Sequence, residues 1–255
     1  MSRPGVHEAA REGFTRAAET YARGRPGYPQ ALGTWLAGFI GPGARAVDLG
    51  AGTGKFTGLL LDTGAAVMAV EPVSAMRETF AKGHPGIPAI DAVATALPFA
   101  DDSVDAITCA QSFHWFATKE ALTEIRRVLK PDGSLVLIWN MRDEIVPWVK
   151  ALGDIMRPHA GTAPRHESGE WRRLFPAEGF GPLDEHRFQN DQSGPPEQVV
   201  VDRCLSVSFI ANLPDAEREA VADRLRRLVS QTPELAGREE ITLPYVTSVY
   251  RIRKI

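Results

Sequence analysis

Short apolar runs alternate with amphipathic stretches along the first half of the chain. The runs have the β-compatible character of buried parallel strands, and the stretches between them place apolar residues at helical spacing. Strands are predicted at 44–49, 66–70, 87–93, 105–110 and 134–139, and helices at 73–81 and 118–130. This order predicts an α/β protein with a doubly wound sheet, whose strands end at a common binding edge.

The second half of the chain has a weaker pattern. Residues 141–194 are rich in Trp, Arg and His, which we interpret mostly as solvated helix faces with aromatic anchors. Helical spacing returns at 205–213 and 216–229, and 241–250 has strand character that would complete the sheet. We therefore expect four units: a helical cap at 1–40, a cofactor-binding core at 41–140, a substrate-binding lid insertion at 141–235 and a final strand of the core sheet at 236–255.

The N-terminal segment has helical spacing at 14–21 and then breaks at 24–29, where prolines end any helix. Two interpretations are open. The segment is a surface turn between two helices, which the residues alone favour, or it is a cap over a ligand with Tyr21 and Arg25 facing inward.

A glycine-rich turn follows the first predicted strand, in the stretch Val47-Asp48-Leu49-Gly50-Ala51-Gly52-Thr53-Gly54-Lys55. Glycine lacks a Cβ, so such a turn can adopt positive φ and let a ligand lie against bare backbone. The helix after it directs free N–H groups at that ligand. A run of glycines is often only a tight turn, and the acids nearby favour a cofactor site instead.

Two acids end adjacent predicted strands, Asp48 beside the glycine turn and Glu71 after 66–70. Glu71 is positioned to accept hydrogen bonds from both hydroxyls of a ribose. The turn is GxGxG, since Lys55 occupies the position where a dinucleotide fingerprint needs a small residue. Asp48 would repel a pyrophosphate but suits a ligand with an ammonium and a sulfonium group, which favours S-adenosylmethionine over NAD.

The fourth predicted strand leads into Gln111-Ser112-Phe113-His114-Trp115-Phe116 at the same sheet edge. A histidine among aromatic residues is more often a packing residue than a catalytic one. His114 is nevertheless our candidate catalytic residue, because it follows the carboxyl end of a strand. Arg142 and Arg203 are candidates for pairing with a substrate carboxylate, and Trp115 for packing against the substrate.

Composition narrows the function classes. The 255-residue chain has a formal net charge of −3 and a basic run only at 251–254, which argues against nucleic-acid binding. The longest apolar run, 135–139, is too short to cross a bilayer, and the N-terminus lacks the apolar region of a signal peptide. We therefore expect no membrane partner and a cytoplasmic location. Cys109 and Cys204 are expected to be reduced packing residues, and no metal site is predicted.

The ordered motifs resemble those of class I S-adenosylmethionine-dependent methyltransferases. The resemblance covers about half of the chain, at 47–54, Glu71, 94–99, 105–116 and 129–133. Residues 21–29 and 111–116 resemble the small-molecule subgroup, methyltransferase type 11, which includes proteins similar to trans-aconitate methyltransferase. The resemblance implies a Rossmann-like, mostly parallel seven-stranded sheet with adenine near Ala94 and Thr95. Related chains often carry an acid at the Thr95 position, which puts adenine contact by this side chain in doubt.

These observations define a predicted cofactor site for S-adenosylmethionine, whose product is S-adenosylhomocysteine. Its residues are Tyr21, Arg25, Asp48, Gly50, Ala51, Gly52, Gly54, Glu71, Pro72, Ala94, Thr95 and Gln111. The predicted function is methyl transfer to a small-molecule acceptor, with a carboxylic acid as the candidate class, by a monomer or homodimer. The alternative is a sensor or scaffold that binds the cofactor without turnover, and an NAD oxidoreductase ranks third.

Overall fold

The computed structural model describes residues 26–161 and 164–255 of the chain. The predicted helix at 14–21 and the candidate residues Tyr21 and Arg25 lie outside this range. Among the described residues, no helix is both long and apolar enough to cross a bilayer.

The strands of the described chain form one seven-stranded sheet in the order β3-β2-β1-β4-β5-β7-β6. They are β1 Arg45–Leu49, β2 Ala66–Val70, β3 Ala89–Ile90, β4 Val104–Ala110, β5 Leu129–Arg142, β6 Asp184–Gly194 and β7 Ile241–Arg253. The pairs from β3 to β5 are parallel, and β7 runs antiparallel to both β5 and β6. The predicted mostly parallel sheet of seven strands is confirmed.

The helices of the described residues fall into two groups. The first lies before and between the parallel strands: α1 Gln30–Ala37, α2 Thr57–Leu61, α3 Ser74–Gly83 and α4 Lys119–Val128. The second follows β5: α5 Pro147–Met156, α6 Arg203–Leu205, α7 Ser208–Ala211 and α8 Asp215–Gln231, with a π-helix at Glu197–Asp202 before α6. Helix α4 ends earlier than predicted, because Pro131 disfavours a helical conformation at the residue before it.

The alternation of side chains along β5 shows that both faces of the sheet are covered. Leu135, Leu137 and Trp139 belong to one buried cluster with residues of α4, whereas Val136 and Ile138 belong to another with residues of α1 and α2. A third cluster joins α5, α8 and the π-helix to the start of β7. The binding edge of the sheet therefore lies between a rigid core and the helical group that follows β5.

Strand β6 is the main departure from the predicted elements. Residues 184–194 were assigned with 141–235 to a lid insertion, but they pair along their whole length with β7 at the edge of the sheet. Their sequence, DEHRFQNDQSG, has no apolar alternation, because charged residues on an edge strand discourage pairing with another chain. The strand predicted at 241–250 is present in β7, while the division into four units stays a prediction.

Candidate active site

The glycine turn after β1 is held tightly at both ends and open in the middle. Gly50, Gly52 and Gly54 have φ values of 71°, 59° and 85°, a region that favours glycine. A Cβ on Gly50 would approach the Cβ of Ser112 to 2.6 Å, and one on Gly54 would press against the ring of His84. A Cβ on Gly52 would meet nothing within 4 Å, so the turn presents bare backbone to open space at this residue.

Glu71 fastens this turn to the end of β2. Its Oε2 accepts a hydrogen bond from the Gly52 amide at 2.9 Å, and its Oε1 accepts one from the Val73 amide at 2.9 Å. Burial raises the pKa of the Glu71 carboxyl, although these two amides and the nearby Arg77 oppose the increase. Each oxygen of an ionised carboxylate can accept a second hydrogen bond. Glu71 thus supports the turn and keeps acceptor capacity for a ligand.

Asp48 lies within the core below the same turn. The side chain is fully buried, and its Oδ2 accepts a hydrogen bond from Thr57 Oγ1 at 2.6 Å. Burial is the main reason that the pKa of Asp48 rises to about 7. Its Oδ1 has no hydrogen-bond partner among the described residues. Asp48 thus lies beneath the turn within the core, and its part in cofactor binding stays a prediction.

Gln111 and its neighbours form the second half of the binding edge. Gln111 has a φ of 60°, which turns the chain after β4, and its backbone amide donates a hydrogen bond to Ile138 O on β5 at 2.8 Å. Ser112 Oγ donates to Leu49 O at 2.7 Å and so ties this turn to the glycine turn. His114 lies in the 3₁₀ helix Phe113–Trp115, where its Nδ1 faces the indole N–H of Trp139 at 3.1 Å.

The predicted adenine region lies after β3. Ala94 is buried in the core cluster with Leu49 and Val70, whereas the side chain of Thr95 is exposed. Pro72 and Ala51 are half-buried. Ala94 thus shares a buried cluster with the last residues of β1 and β2, and contact of these positions with a cofactor stays a prediction.

A cavity of about 600 Å³ opens beside Gln111 and His114. It brings together every described residue that the sequence nominated for substrate or catalysis: His114, Trp115, Arg142 and Arg203. The glycine turn, Glu71, Ala94 and Thr95 are not part of its wall. Gln111 is the predicted cofactor residue that also lines it, so the cavity adjoins the predicted cofactor site.

The cavity wall contains several arginine side chains, which differ in their ion pairs and hydrogen bonds. Arg157 is paired with Glu144 at 3.1 Å, and the buried Arg203 donates from Nε to the hydroxyl of Tyr245 at 3.1 Å. The Nε atoms of Arg142 and Arg165 are buried and have no hydrogen-bond partner among the described residues. Arginine side chains in a cavity wall are suited to binding an anionic ligand.

Sequence reasoning missed part of this wall. Arg165, His166 and Tyr245 line the cavity, but none of them lies in a recognisable motif. His166 packs against Trp139, with ring centroids 4.6 Å apart, and burial lowers its pKa. One available signal was the clustering of Arg, His and Trp within 141–194, which we interpreted mainly as surface.

No group of three or more His, Cys, Asp or Glu residues in the described ranges is placed to hold a metal ion. The described site therefore consists of backbone amides, carboxylates, an amide side chain and an arginine-lined cavity.

Comparison with known proteins identifies the family. The sequence profile described as "Methyltransferase domain" matches residues 47–137, from β1 through the middle of β5. A methyltransferase-like protein of Schizosaccharomyces pombe is 36% identical over 244 residues, covering 94% of this chain and 95% of its own length. A methyltransferase of Mycobacterium bovis is 37% identical over 238 residues, covering 93% and 94%. The chain belongs to the family of S-adenosylmethionine-dependent methyltransferases.

Solved structures share the fold. A candidate type II methyltransferase from Anaeromyxobacter dehalogenans aligns with a TM-score of 0.66 and 24% identity over 90% of this chain and 96% of its own. The [4+2]-cyclase SpnF aligns with a TM-score of 0.59 and 16% identity over 99% of both chains. At these identities the likeness concerns the fold, so the reaction has to be argued from the sequence family and the site.

Proposed function

We propose that this chain transfers the methyl group of S-adenosylmethionine to a small-molecule carboxylic acid. The observation that carries the proposal is the arginine-lined cavity beside Gln111 and His114, at the edge of the sheet that also holds the glycine turn. We further expect the enzyme to act in the cytoplasm as a monomer or homodimer.

The glycine turn fits the cofactor. The open space at Gly52 would admit a ligand against the backbone, and Glu71 retains acceptor capacity for ribose hydroxyls. Asp48 and Glu71 are buried carboxyl groups whose ionised forms a bound cation would stabilise, whereas these ionised forms would repel a pyrophosphate. When bound, the cofactor supplies a methyl group already activated by its attachment to a positively charged sulfur.

The arginines supply what the acceptor needs. A carboxylate is a nucleophile in its ionised form, so its alkylation requires alignment and exclusion of water more than proton removal. Arg142 and Arg165 line the cavity, and a guanidinium group can hold a carboxylate in a planar, bidentate geometry. The rings of Trp115 and Phe209 line the same cavity and can exclude water from the bound acceptor.

A methyl-transfer assay tests the proposal. The purified chain is incubated with isotopically labelled S-adenosylmethionine and either benzoate or succinate, with the corresponding amides as uncharged controls. Methyl esters of the acids and no product from the amides are expected. Calorimetry with S-adenosylhomocysteine separates the remaining outcomes: binding without product from a broad acceptor panel would identify a cofactor-binding protein without turnover, and no binding would overturn the proposal.

An arginine variant makes the test specific to this cavity. Arg142→Gln should lower kcat/KM for an accepted acid about 10- to 100-fold, the loss expected for a hydrogen bond to a charged group. Arg173→Gln is the matched control, because Arg173 is 77% exposed and pairs with Glu170 away from the cavity. Equal effects of the two substitutions would contradict the assignment.

A further inference from the structure

The hydrogen bond between Trp139 and His114 determines where the imidazole carries its hydrogen. Trp139 Nε1 lies 3.1 Å from His114 Nδ1. An indole N–H is a donor only, so Nδ1 must accept this bond with its lone pair. A neutral imidazole has one N–H, and with Nδ1 as the acceptor its hydrogen lies on Nε2.

Both partners of this bond are held rigidly. Trp139 is fully buried on β5, with ring centroids 4.6 Å from His166, 4.7 Å from Trp171 and 6.0 Å from Tyr250. His114 lies in a 3₁₀ turn that begins next to Ser112, whose hydroxyl is bonded to β1. The indole N–H therefore cannot turn away without repacking the core, and the preference for one tautomer is built into the fold.

We propose that Trp139 holds His114 as the neutral Nε2–H tautomer, and that His114 donates a hydrogen bond to the acceptor instead of removing a proton from it. Trp139 is then a positioning residue. A general base at this place would need a free lone pair, but the Nδ1 lone pair is occupied by the indole N–H. Protonation of Nδ1 would direct its N–H at the indole N–H of Trp139, and the two donors would repel each other.

The donor role agrees with the chemistry of the cavity, and in this part it rests on the proposed function. His114 lines the cavity together with Arg142 and Arg165. A carboxylate acceptor has no proton to lose at neutral pH, and it gains from every donor directed at it. The three side chains would thus act together as donors, with no proton transferred to or from His114.

Nitrogen-15 NMR of the full chain, labelled at its histidines, tests the tautomer without any substrate. The chain has six histidines, and the signal of His114 is identified by its loss in His114→Gln. The expected spectrum near neutral pH shows hydrogen on Nε2 and an unprotonated Nδ1. Hydrogen on Nδ1, or an imidazolium under the same conditions, would overturn the proposal.

Trp139→Phe tests the positioning role. Without the indole donor, the His114 signals should move toward a mixture of both tautomers, while those of His186 on the edge strand β6 stay unchanged as an internal control. An unchanged tautomer in a folded variant would remove Trp139 from the proposal. Should the variant fail to fold, the wild-type spectrum still decides the tautomer.

Activity distinguishes a donor from a base. Gln can donate near the position of Nε2 but cannot take up a proton, whereas Ala can do neither. With benzoate or succinate as the acceptor, we expect His114→Ala to lose about 10- to 100-fold in kcat/KM and His114→Gln to lose much less. Equal, near-complete losses in both variants would indicate a base and overturn the donor role. If no acid is methylated, the proposed function fails, while the tautomer result stands by itself.

Discussion

The amide of Gly52 donates a hydrogen bond to Oε2 of Glu71 at 2.9 Å, so the middle of the glycine turn is fastened to the end of the neighbouring strand. The open space at Gly52 and the carboxylate predicted to bind ribose are parts of one structural unit. A substitution at either residue should therefore affect the ligand and the turn together.

Glu71→Ala should weaken binding of S-adenosylhomocysteine by about 1 to 3 kcal/mol, because it removes a buried acceptor from the ligand and from the Gly52 amide. It should also lower the free energy of unfolding, which thermal denaturation measures alongside calorimetric binding. Glu78→Ala is the control, since Glu78 is exposed on α3 and bonds only locally to Ser74. Unaltered affinity in a folded Glu71→Ala protein would show that the ribose site is assigned wrongly.

Substitutions in the middle and at the end of the glycine turn should have different effects. Gly52→Ala places a Cβ in open space, so its cost is mainly the strain of a left-handed residue, about 1 to 2 kcal/mol, and obstruction of the ligand. Gly54→Ala adds a clash with His84 and Phe80 and should destabilise the fold more. Urea denaturation and binding of S-adenosylhomocysteine measure the two effects. Equal stability of both variants would contradict the packing described at Gly54.

The apolar pattern predicts the strands that are buried on both faces and misses the edge strand β6. β1, β2 and β5 consist of apolar runs because helices cover both of their faces. β6 is polar, and its pairing with β7 depends on a strand far along the chain. Local pattern has no access to that partner, so the strand was not predicted.

The candidate site likewise has one part that local sequence motifs predict and one part that they do not. The glycine turn and Glu71 are local motifs, and the structure joins them directly. The cavity wall is assembled from distant segments, with Arg142 at the end of β5, Arg165 in a loop and Arg203 at the start of α6. Asp48 illustrates a further limit: the sequence shows a carboxylate at a strand end, but not that Thr57 binds it within the core.

Asp48 should make the stability of the protein depend on pH. Its pKa is about 7 in the folded chain and 3.8 when unperturbed, because burial disfavours the charged form. Between these values the folded state holds a proton that the unfolded state has released. Stability therefore falls as the pH rises through this window, by about 2 to 3 kcal/mol between about pH 5 and about pH 8.

Asp48→Asn isolates this contribution, since the amide oxygen can still accept the hydrogen bond from Thr57. Urea denaturation of both proteins across the pH range should show the variant gaining stability relative to the wild type as the pH rises. Asp62→Asn is a control at a carboxyl outside the buried core. Parallel pH profiles of wild type and Asp48→Asn would mean that the Asp48 carboxyl stays ionised throughout, contrary to its burial.

Arg127 on α4 holds the loop that follows the predicted adenine region. Its guanidinium donates to Leu97 O at 3.2 Å and Phe99 O at 2.9 Å, and it pairs with Asp101 at 2.6 Å. Glu124, which Arg127 also binds, accepts a hydrogen bond from the Leu97 amide at 2.7 Å. The network thus binds the backbone amide of Leu97 and the backbone carbonyl groups of Leu97 and Phe99.

Arg127→Gln should release this loop, because Gln cannot bridge two carbonyl groups and two carboxylates at once. Hydrogen–deuterium exchange should become faster across 97–101, and affinity for S-adenosylhomocysteine should fall if residues 94 and 95 contact adenine. Arg126→Gln is the matched control. Arg126 precedes Arg127 in the chain, and its guanidinium forms a 3.7 Å ion pair with the exposed Glu178. Faster exchange with unchanged affinity would confirm the role of Arg127 in the loop and remove Ala94 and Thr95 from the cofactor site. Unchanged exchange would show that packing alone holds the loop.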